Sequence, residues 1–150
     1  AYYAGGTAAA HSGQDWGNTY AEVDMSAQHM WYIQNGQVVL ETDVVTGEPI
    51  PSKNTPEGVY SLMWKQPKSV LVGDINPDTG EPAYRTKVIY WMQVTSSGVG
   101  FHDATWQTAF GGTLYQIPGT GSHGCINMPL DQAGALFNMI EPGTPVIFHW

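Results

Sequence analysis

Glycine and proline recur along the whole chain and leave little room for long helices. The 150 residues include 18 Gly and 10 Pro, and both residue types end regular elements or form turns. The segments between them are short, and several alternate apolar with polar side chains at the period of a β-strand. We therefore predict a mostly β fold, a sandwich or an open barrel built from many short strands.

A β-hairpin is the clearest of these elements. Residues 30–34 and 37–45 flank Asn35-Gly36, a pair that tolerates the positive φ angles of a type I′ turn. Before the hairpin, Ala21, Val23 and Met25 occupy alternate positions, which predicts a half-buried strand. We predict further strands over residues 59–64, 88–94, 99–102 and 144–150, and an exposed loop over residues 73–82.

One stretch has the period of an amphipathic helix. Ala133, Leu136, Phe137 and Ile140 recur at i, i+3, i+4 and i+7, and Pro142-Gly143 follows them. This pattern predicts a helix over about residues 130–141. Residues 1–18 are rich in small residues without apolar periodicity, so we interpret them as a linker or the remnant of a preceding segment. Residues 19–150 are then one folded domain.

The chain is acidic, with 5 Lys and Arg against 13 Asp and Glu and a formal net charge of −8. Binding to nucleic acid depends on clusters of basic residues, so a nucleic-acid partner is not expected. The same charge disfavours docking on anionic membranes. No run approaches the ~20 apolar residues of a membrane-spanning helix, and no secretion signal is recognisable.

The chemically informative segment contains the only cysteine, Cys125, in the sequence Ser-His-Gly-Cys-Ile-Asn at residues 122–127. A second histidine, His102, lies upstream. A lone cysteine with histidines nearby is typical of thiolate catalysis, in which an imidazole takes the thiol proton. Backbone N–H groups must also stabilise the oxyanion, and a small residue such as Gly124 lets the backbone approach closely. The alternative is an inert thiol, because free cysteines are usually buried in the core.

This motif, with a histidine at that distance before it, resembles the signature of the L,D-transpeptidase (YkuD) family of cell-wall enzymes, above all its Gram-positive members. The resemblance covers about residues 19–150. It implies the fold of that catalytic domain, a β-sandwich or open barrel with one amphipathic helix. Further similar segments are residues 23–32 with Asn35-Gly36, Thr46-Gly47, residues 55–60, and Phe101-His102-Asp103 with Trp106.

Two histidines are candidates for the base that deprotonates Cys125. His123 lies two residues away, and in an extended segment such residues point to the same face. His102 comes from a different strand and can approach the sulfur in better geometry. The resemblance favours His102, with its other ring nitrogen held by the backbone carbonyl of Asp103. We expect the imidazole to keep the thiol pKa below the ~8.5 of a free cysteine.

The resemblance also implies roles for the neighbouring residues. His123, Gly124 and Cys125 would supply backbone N–H groups to the oxyanion, although the His123 ring could instead be purely structural. Ser122 and Asn127 would fix the loop and its strand, and Asn127 is also a candidate for substrate contact. The Asp103 carboxylate either contributes to the site or merely faces solvent while its backbone orients the histidine.

Two aromatic residues are candidates for substrate contact. Trp106 would form a wall of the substrate groove, with a place in the core as the alternative. Tyr84 is a weaker candidate for a lid. A zinc site made from His102, His123, Cys125 and His149 is the rival chemistry, but these residues lack the spacing of structural zinc sites. We therefore expect no metal and no other cofactor.

The function implied by the resemblance is cysteine-dependent transpeptidation of peptidoglycan stem peptides. Cys125 would attack the third residue of a tetrapeptide donor, expel D-alanine, and pass the acyl group to an amine of an acceptor stem, giving a 3→3 cross-link. Water as acceptor would make the enzyme an L,D-carboxypeptidase. A non-catalytic wall-binding module is the alternative from another class.

The resemblance also has biological implications. Such an enzyme would act outside the cell, in the wall or at the outer face of the cytoplasmic membrane, in cell-wall biogenesis and cell shape. Its targeting segment would lie outside this sequence. Carbapenems would acylate Cys125.

Overall fold

Two β-sheets and an α-helix form the part of the chain that the computed structural model describes, residues 17–73, 75–82 and 85–150. The predicted mostly β fold with an amphipathic helix is confirmed. A short 3-10 turn is also present at Leu114–Gln116. The strands are β1 Tyr20–Asp24, β2 His29–Gln34, β3 Gln37–Asp43, β4 Gly58–Ser61, β5 Trp64–Val72, β6 Arg85–Gln93, β7 Gly100–Asp103, β8 Ile126–Met128 and β9 Pro145–His149, and the helix is α1 Leu130–Met139.

The five-stranded sheet has the order β3-β2-β1-β9-β4. β2 and β3 form the predicted hairpin, and Asn35 and Gly36 between them have φ angles of 53° and 80°. Both values are positive, as a type I′ turn requires. The last strand of the chain, β9, lies parallel to β1 and antiparallel to β4.

The four-stranded sheet has the order β5-β6-β7-β8. β5 and β6 form a long antiparallel hairpin, whereas β7 and β8 are parallel neighbours with His102 opposite Asn127. Phe101 and Ile126 pair next to them and are fully buried in the core. Because successive side chains of a strand point to opposite faces, His102 and Asn127 lie on the face away from this core pair.

The single strand predicted over residues 59–64 is wrong. β4 ends at Ser61 in one sheet, and β5 begins at Trp64 in the other. Leu62 donates its N–H to Thr144 O, next to β9, whereas Met63 donates to Gln93 O in β6, both at 2.8 Å. The chain therefore crosses between the sheets here, and the largely apolar run over residues 59–64 gives no sign of the break in the sequence.

The core fills the space between the two sheets and the helix. Ala21, Val23 and Met25 contribute to it as predicted. However, β1 is not half-buried, because the opposite face of its sheet carries a second apolar cluster that includes Tyr20 and Ile147. Glu22 also lies on that buried strand, and its carboxylate is 2.7 Å from His149 Nε2.

Helix α1 packs its apolar stripe into the core. Ala133, Leu136 and Ile140 are fully buried, and the ring of Phe137 lies 5.2 Å from that of Tyr90. The helix ends at Met139, two residues before the predicted end. Lys65 Nζ donates to Phe137 O at 2.7 Å, which satisfies a carbonyl of the last turn.

Some predictions fall on parts of the chain that the structure does not describe. Most of the predicted linker, residues 1–16, and Tyr84 lie outside the described residues, so the linker and lid hypotheses stay predictions. Within the described residues, none of the helices has the length and apolar character needed to cross a membrane.

We expect the free energy of unfolding to fall as the pH rises through the pKa of His149. Burial of the ring lowers this pKa, but the hydrogen bonds to Glu22 and to Trp150 O and the nearby carboxylates outweigh it, so the pKa is raised above 6.5. The folded state therefore holds the proton more tightly, and this stabilisation is complete below the unfolded pKa and lost above the folded one.

Urea denaturation between about pH 5.5 and pH 9 measures this dependence. His149→Gln and Glu22→Gln should both flatten the fall in stability relative to the wild type. A wild-type slope that survives in both variants would assign the dependence to other groups.

Candidate active site

A cleft of about 230 Å³ opens where β7 and β8 lie side by side. It contains both the predicted nucleophile and the predicted bases. Its described lining residues are Glu48, Lys53, Leu71, Thr86, His102, Trp106, Gly119, Thr120, Gly121, Ser122, His123, Cys125 and Asn127. Residues separated by more than 70 positions in the sequence therefore share one concave surface, the usual setting of an active site.

Cys125 immediately precedes β8, and although the residue keeps some contact with solvent, the atoms packed around it largely desolvate its thiol. Its Sγ lies 3.5 Å from Gly98 O. A second cleft, of about 350 Å³, also reaches Cys125 and is formed mainly by β5, with Trp91 and Gln93 of β6. The thiol therefore lies between two clefts, which we call the histidine cleft, lined by His102, and the hairpin cleft, lined by β5.

His102 is held in one orientation. Its Nδ1 is 2.8 Å from Asp103 O, so Nδ1 carries the hydrogen and Nε2 is left as the acceptor nitrogen. The ring lies between Trp91 and Trp106, at centroid distances of 6.1 and 5.8 Å. Burial lowers the pKa of His102, although the Asp103 carbonyl and carboxylate oppose this effect. The imidazole is therefore neutral near pH 7 and able to accept a proton.

The thiol of Cys125 does not have the lowered pKa expected from the sequence. Burial raises its pKa to about 11, and a backbone hydrogen bond from Gly100 only partly offsets this effect. A group in a low-dielectric site favours its uncharged form, which is the thiol for cysteine and the neutral imidazole for histidine. The thiol of Cys125 and the imidazole of His102, which line the same cleft, are therefore both uncharged near pH 7.

The loop before Cys125 is fixed by Ser122. Ser122 Oγ donates to Cys125 O at 2.5 Å and accepts from Gly124 N at 3.0 Å. The Gly124 N–H is therefore bonded to Ser122 Oγ in this structure, and its role as an oxyanion donor stays a prediction. Gly124 also matters for its φ of 128°, which other residues rarely adopt. The Cys125 N–H remains a candidate oxyanion donor.

Residues 45–48 run alongside this loop, an arrangement that sequence reasoning missed. Val45 exchanges two backbone hydrogen bonds with Asn127, at 3.1 and 2.8 Å. Ser122 N donates to Thr46 O, and Glu48 N donates to Ser122 O, both at 3.0 Å. Both ends of the loop are thus tied to one extended segment, which fixes the backbone on either side of Cys125.

Thr55 connects two of the segments in which the sequence resembles the family. Its Oγ1 donates to Gly124 O at 2.7 Å and accepts from Gly47 N at 2.9 Å. A Cβ on Gly47 would lie 1.8 Å from Lys53 O, so only glycine fits there. The Thr46-Gly47 and Thr55-Pro56 segments therefore meet at the loop that precedes Cys125. Their resemblance to segments of the family was the sequence signal that could have revealed this contact.

The carboxylate of Asp103 does not face solvent. Asp103 is 2% exposed, and its Oδ1 accepts from Ile89 N at 2.9 Å and from Tyr90 N at 2.8 Å. β7 pairs with β6 from Gly100 to His102 only, so these N–H groups lie beyond that pairing. The carboxylate satisfies them in place of the missing strand, and so fixes the residue whose carbonyl orients His102.

The remaining predicted residues lie around the cleft. His123 is exposed on its surface. Trp106 is 53% exposed and lines the cleft beside His102, so it is part of the wall and not of the core. Asn127 Nδ2 donates to Gln107 Oε1 at 2.6 Å, while its buried Oδ1 has no partner within the described part of the chain.

The structure does not assemble the rival zinc site. His149 pairs with Glu22 in the five-stranded sheet and does not line the cleft. No group of three or more His, Cys, Asp and Glu residues within residues 17–73, 75–82 and 85–150 is arranged to hold a metal ion.

Comparison with known proteins points to one family. The model of the YkuD L,D-transpeptidase catalytic domain matches residues 18–148. L,D-transpeptidase 1 of Mycobacterium tuberculosis is 30% identical over 125 residues, which are 81% of this chain and 47% of that protein. Probable L,D-transpeptidase 3 of the same organism is 31% identical over 65% of this chain and 35% of its own length. The chain thus spans less than half of the length of these curated relatives.

Solved structures agree with this match. A mutant L,D-transpeptidase of Enterococcus faecium is 44% identical, with a TM-score of 0.78 over 88% of this chain and 50% of that one. The catalytic domain of the E. faecium enzyme acylated by ertapenem is 45% identical, with a TM-score of 0.74 over 90% and 99%. L,D-transpeptidase 1 of M. tuberculosis in complex with imipenem is 27% identical, with a TM-score of 0.69 over 87% and 58%.

The raised pKa of Cys125 predicts slow thiol labelling at neutral pH. The rate constant of iodoacetamide labelling, measured by mass against pH, should have its inflection well above the ~8.5 of an ordinary cysteine. The same protein unfolded in urea is the control and should titrate near that ordinary value. An inflection below 8.5 in the folded protein would instead indicate a thiolate paired with an imidazolium.

Removal of the buried carboxylate of Asp103 should destabilise the folded protein. Asp103→Ala leaves the N–H groups of Ile89 and Tyr90 without their acceptor, which should lower the free energy of unfolding by about 1–3 kcal/mol. Asp103→Asn keeps one acceptor oxygen and should lose less. Urea denaturation measures both, and an unchanged midpoint for the alanine variant would show that the carboxylate does not support β6.

Proposed function

This chain belongs to the L,D-transpeptidase (YkuD) catalytic-domain family, and on that basis we propose that it cross-links peptidoglycan stem peptides through a thioester on Cys125. One observation carries the proposal. The single thiol of the chain shares a cleft with an oriented, neutral imidazole, that of His102. A non-catalytic wall-binding module would need neither group, nor a backbone carbonyl holding Nδ1 of the histidine.

In the first half-reaction, Cys125 Sγ attacks the carbonyl carbon of the third residue of a tetrapeptide donor, an L residue. His102 Nε2 takes the thiol proton as the C–S bond forms, because the resting thiol is protonated. The Cys125 N–H stabilises the oxyanion. His102 then returns the proton to the departing amine, the C–N bond breaks, and D-alanine leaves with the acyl group held as a thioester.

In the second half-reaction, an amine of a neighbouring stem attacks the thioester and gives the 3→3 cross-link. His102 removes the proton of this amine and returns one to the leaving Sγ. The leaving and the incoming amine both exchange protons with His102, so both occupy the histidine cleft. The rest of the donor stem then lies in the hairpin cleft, which is lined by Cys125 but not by His102.

The second candidate function is hydrolysis, with water as the acceptor, which would make the enzyme an L,D-carboxypeptidase. The histidine cleft is open and lined by Trp106, which is 53% exposed, so water can enter it as an acceptor. We propose that the enzyme acts outside the cell, on the wall, in cell-wall biogenesis and cell shape. We also propose that carbapenems acylate Cys125.

The role of each residue is tested with purified disaccharide-tetrapeptide, following released D-alanine and cross-linked dimers by mass. Cys125→Ala should abolish both products. His102→Gln should slow acylation by roughly 10²–10⁴-fold, the usual contribution of a positioned proton acceptor. His123→Ala keeps its backbone N–H and should lose much less activity. Wild-type acylation should persist below pH 6.5 and fall only as the pH drops through the lowered pKa of His102.

Two outcomes would contradict the proposal. Near-normal turnover by Cys125→Ala would exclude the thioester mechanism. A large defect in His123→Ala, with little effect in His102→Gln, would make His123 the base. A carbapenem mass adduct on the wild type and its absence from Cys125→Ala provide an independent check of the nucleophile.

A further inference from the structure

An ion pair lies in the wall of the histidine cleft. Lys53 Nζ is 3.2 Å from Glu48 Oε2, and both side chains line the cleft with Cys125 and His102. Lys53 is the only Lys or Arg among the described residues that line it. The protein has a net charge of −8, so a cation at this position is a specific feature of the cleft.

The pair lies against the loop that precedes Cys125. Glu48 N donates to Ser122 O at 3.0 Å, and a Cβ on Gly121 would lie 2.5 Å from Glu48 Cγ. Lys53 O comes within 3.7 Å of the position that a Cβ on Gly124 would occupy. Both residues therefore flank the loop that precedes Cys125, on the side from which the histidine cleft opens.

The two side chains differ in their exposure. The Glu48 side chain is 9% exposed, whereas that of Lys53 is 31% exposed. Glu48 therefore needs its cation, because a buried carboxylate without a partner is strongly unfavourable. An ammonium group has three hydrogens, and within the described part of the chain Lys53 Nζ donates to Glu48 Oε2 at 3.2 Å. Lys53 lines the cleft, so its other hydrogens can serve a ligand bound there.

We propose that Lys53 is a carboxylate-binding subsite that recognises the C-terminal carboxylate of the departing D-amino acid, with Glu48 holding the ammonium in place. This inference rests on the proposed function, which puts the leaving amine in the histidine cleft. The leaving group is an amino acid whose carboxylate is attached one carbon from the scissile nitrogen. The ammonium group of Lys53 lines the same cleft beside the loop that precedes Cys125, and it selects donors that end in a free carboxylate.

The test compares two donors in the acylation half-reaction, without acceptor. One is the disaccharide-tetrapeptide ending in D-alanine, and the other is the same molecule ending in D-alaninamide, which lacks the charge. Acyl-enzyme is followed by mass, and kcat/KM is measured for each donor. Hydrogen bonds to charged groups contribute enough for the wild type to prefer the carboxylate donor by about 10- to 100-fold.

Substitutions show whether Lys53 causes this preference. Lys53→Met should reduce the ratio of the two kcat/KM values to about one, mainly by slowing the carboxylate donor, and Lys53→Arg should keep most of it. The double variant Glu48→Gln with Lys53→Gln leaves no buried charge without a partner. This double variant should also lose the preference for the carboxylate donor. It keeps the test valid if Lys53→Met is misfolded, and urea denaturation shows whether that is so.

Two other lysines serve as controls. Lys87 is exposed on β6 and lines neither cleft, so Lys87→Met should match the wild type. Lys68 lines the hairpin cleft, and Lys68→Met should keep the preference for the carboxylate. Loss of the preference in Lys68→Met and not in Lys53→Met would place the carboxylate in the hairpin cleft and overturn the proposal.

The remaining outcomes separate this proposal from the proposed function. Equal acylation of the wild type by both donors, with D-alanine released, would refute the subsite and leave the transpeptidase mechanism standing. An unchanged ratio in a folded Lys53→Met variant would do the same. Failure of the wild type to form an acyl-enzyme with either donor, while iodoacetamide still labels Cys125, would refute the proposed function and this inference with it.

Discussion

The parallel pairing of β7 with β8 is the contact on which the site depends. It places His102 opposite Asn127 and Phe101 opposite Ile126, so the thiol of Cys125 lies one residue before the paired segment. Parallel neighbours cannot be joined by a tight turn, and residues 104–125 make the connection. That connection carries Trp106 and the loop of Ser122, so the wall of the cleft and the loop before Cys125 both follow from the same pairing.

A neutral resting pair is the electrostatic consequence of this burial. The protein interior disfavours both the thiolate and the imidazolium, which raises the pKa of Cys125 and lowers that of His102. A thiol is a poor nucleophile towards electrophiles that arrive by chance. In the proposed mechanism, proton transfer to His102 accompanies attack on a bound carbonyl, whose oxyanion the Cys125 N–H stabilises. In this mechanism, the buried cysteine becomes reactive only when a substrate occupies the cleft.

Local patterns in the sequence predicted the elements that are stabilised locally. The Asn35-Gly36 hairpin and helix α1 each depend on neighbours within a few residues, and both were predicted close to their bounds. The motif likewise indicated the thiol and the two histidines that share the histidine cleft. The pairing of residues 45–48 with the loop, and the break between β4 and β5, arise from contacts across the chain. Neither has a periodicity of its own, so neither could be read from the pattern.

The buried carboxylates show how an acidic chain positions its few functional groups. Among the described residues, three are buried: Glu22 pairs with His149, Glu48 with Lys53, and Asp103 with backbone N–H groups. Backbone N–H groups satisfy the hydrogen-bonding capacity of the Asp103 carboxylate without cancelling its negative charge. The field of Asp103 therefore still acts on His102 and raises the pKa of its ring against the effect of burial. In the proposed mechanism, the same field stabilises the imidazolium that forms when Cys125 attacks. Backbone N–H groups, unlike a lysine partner, hold Asp103 beside the histidine and leave the negative charge of its carboxylate uncancelled.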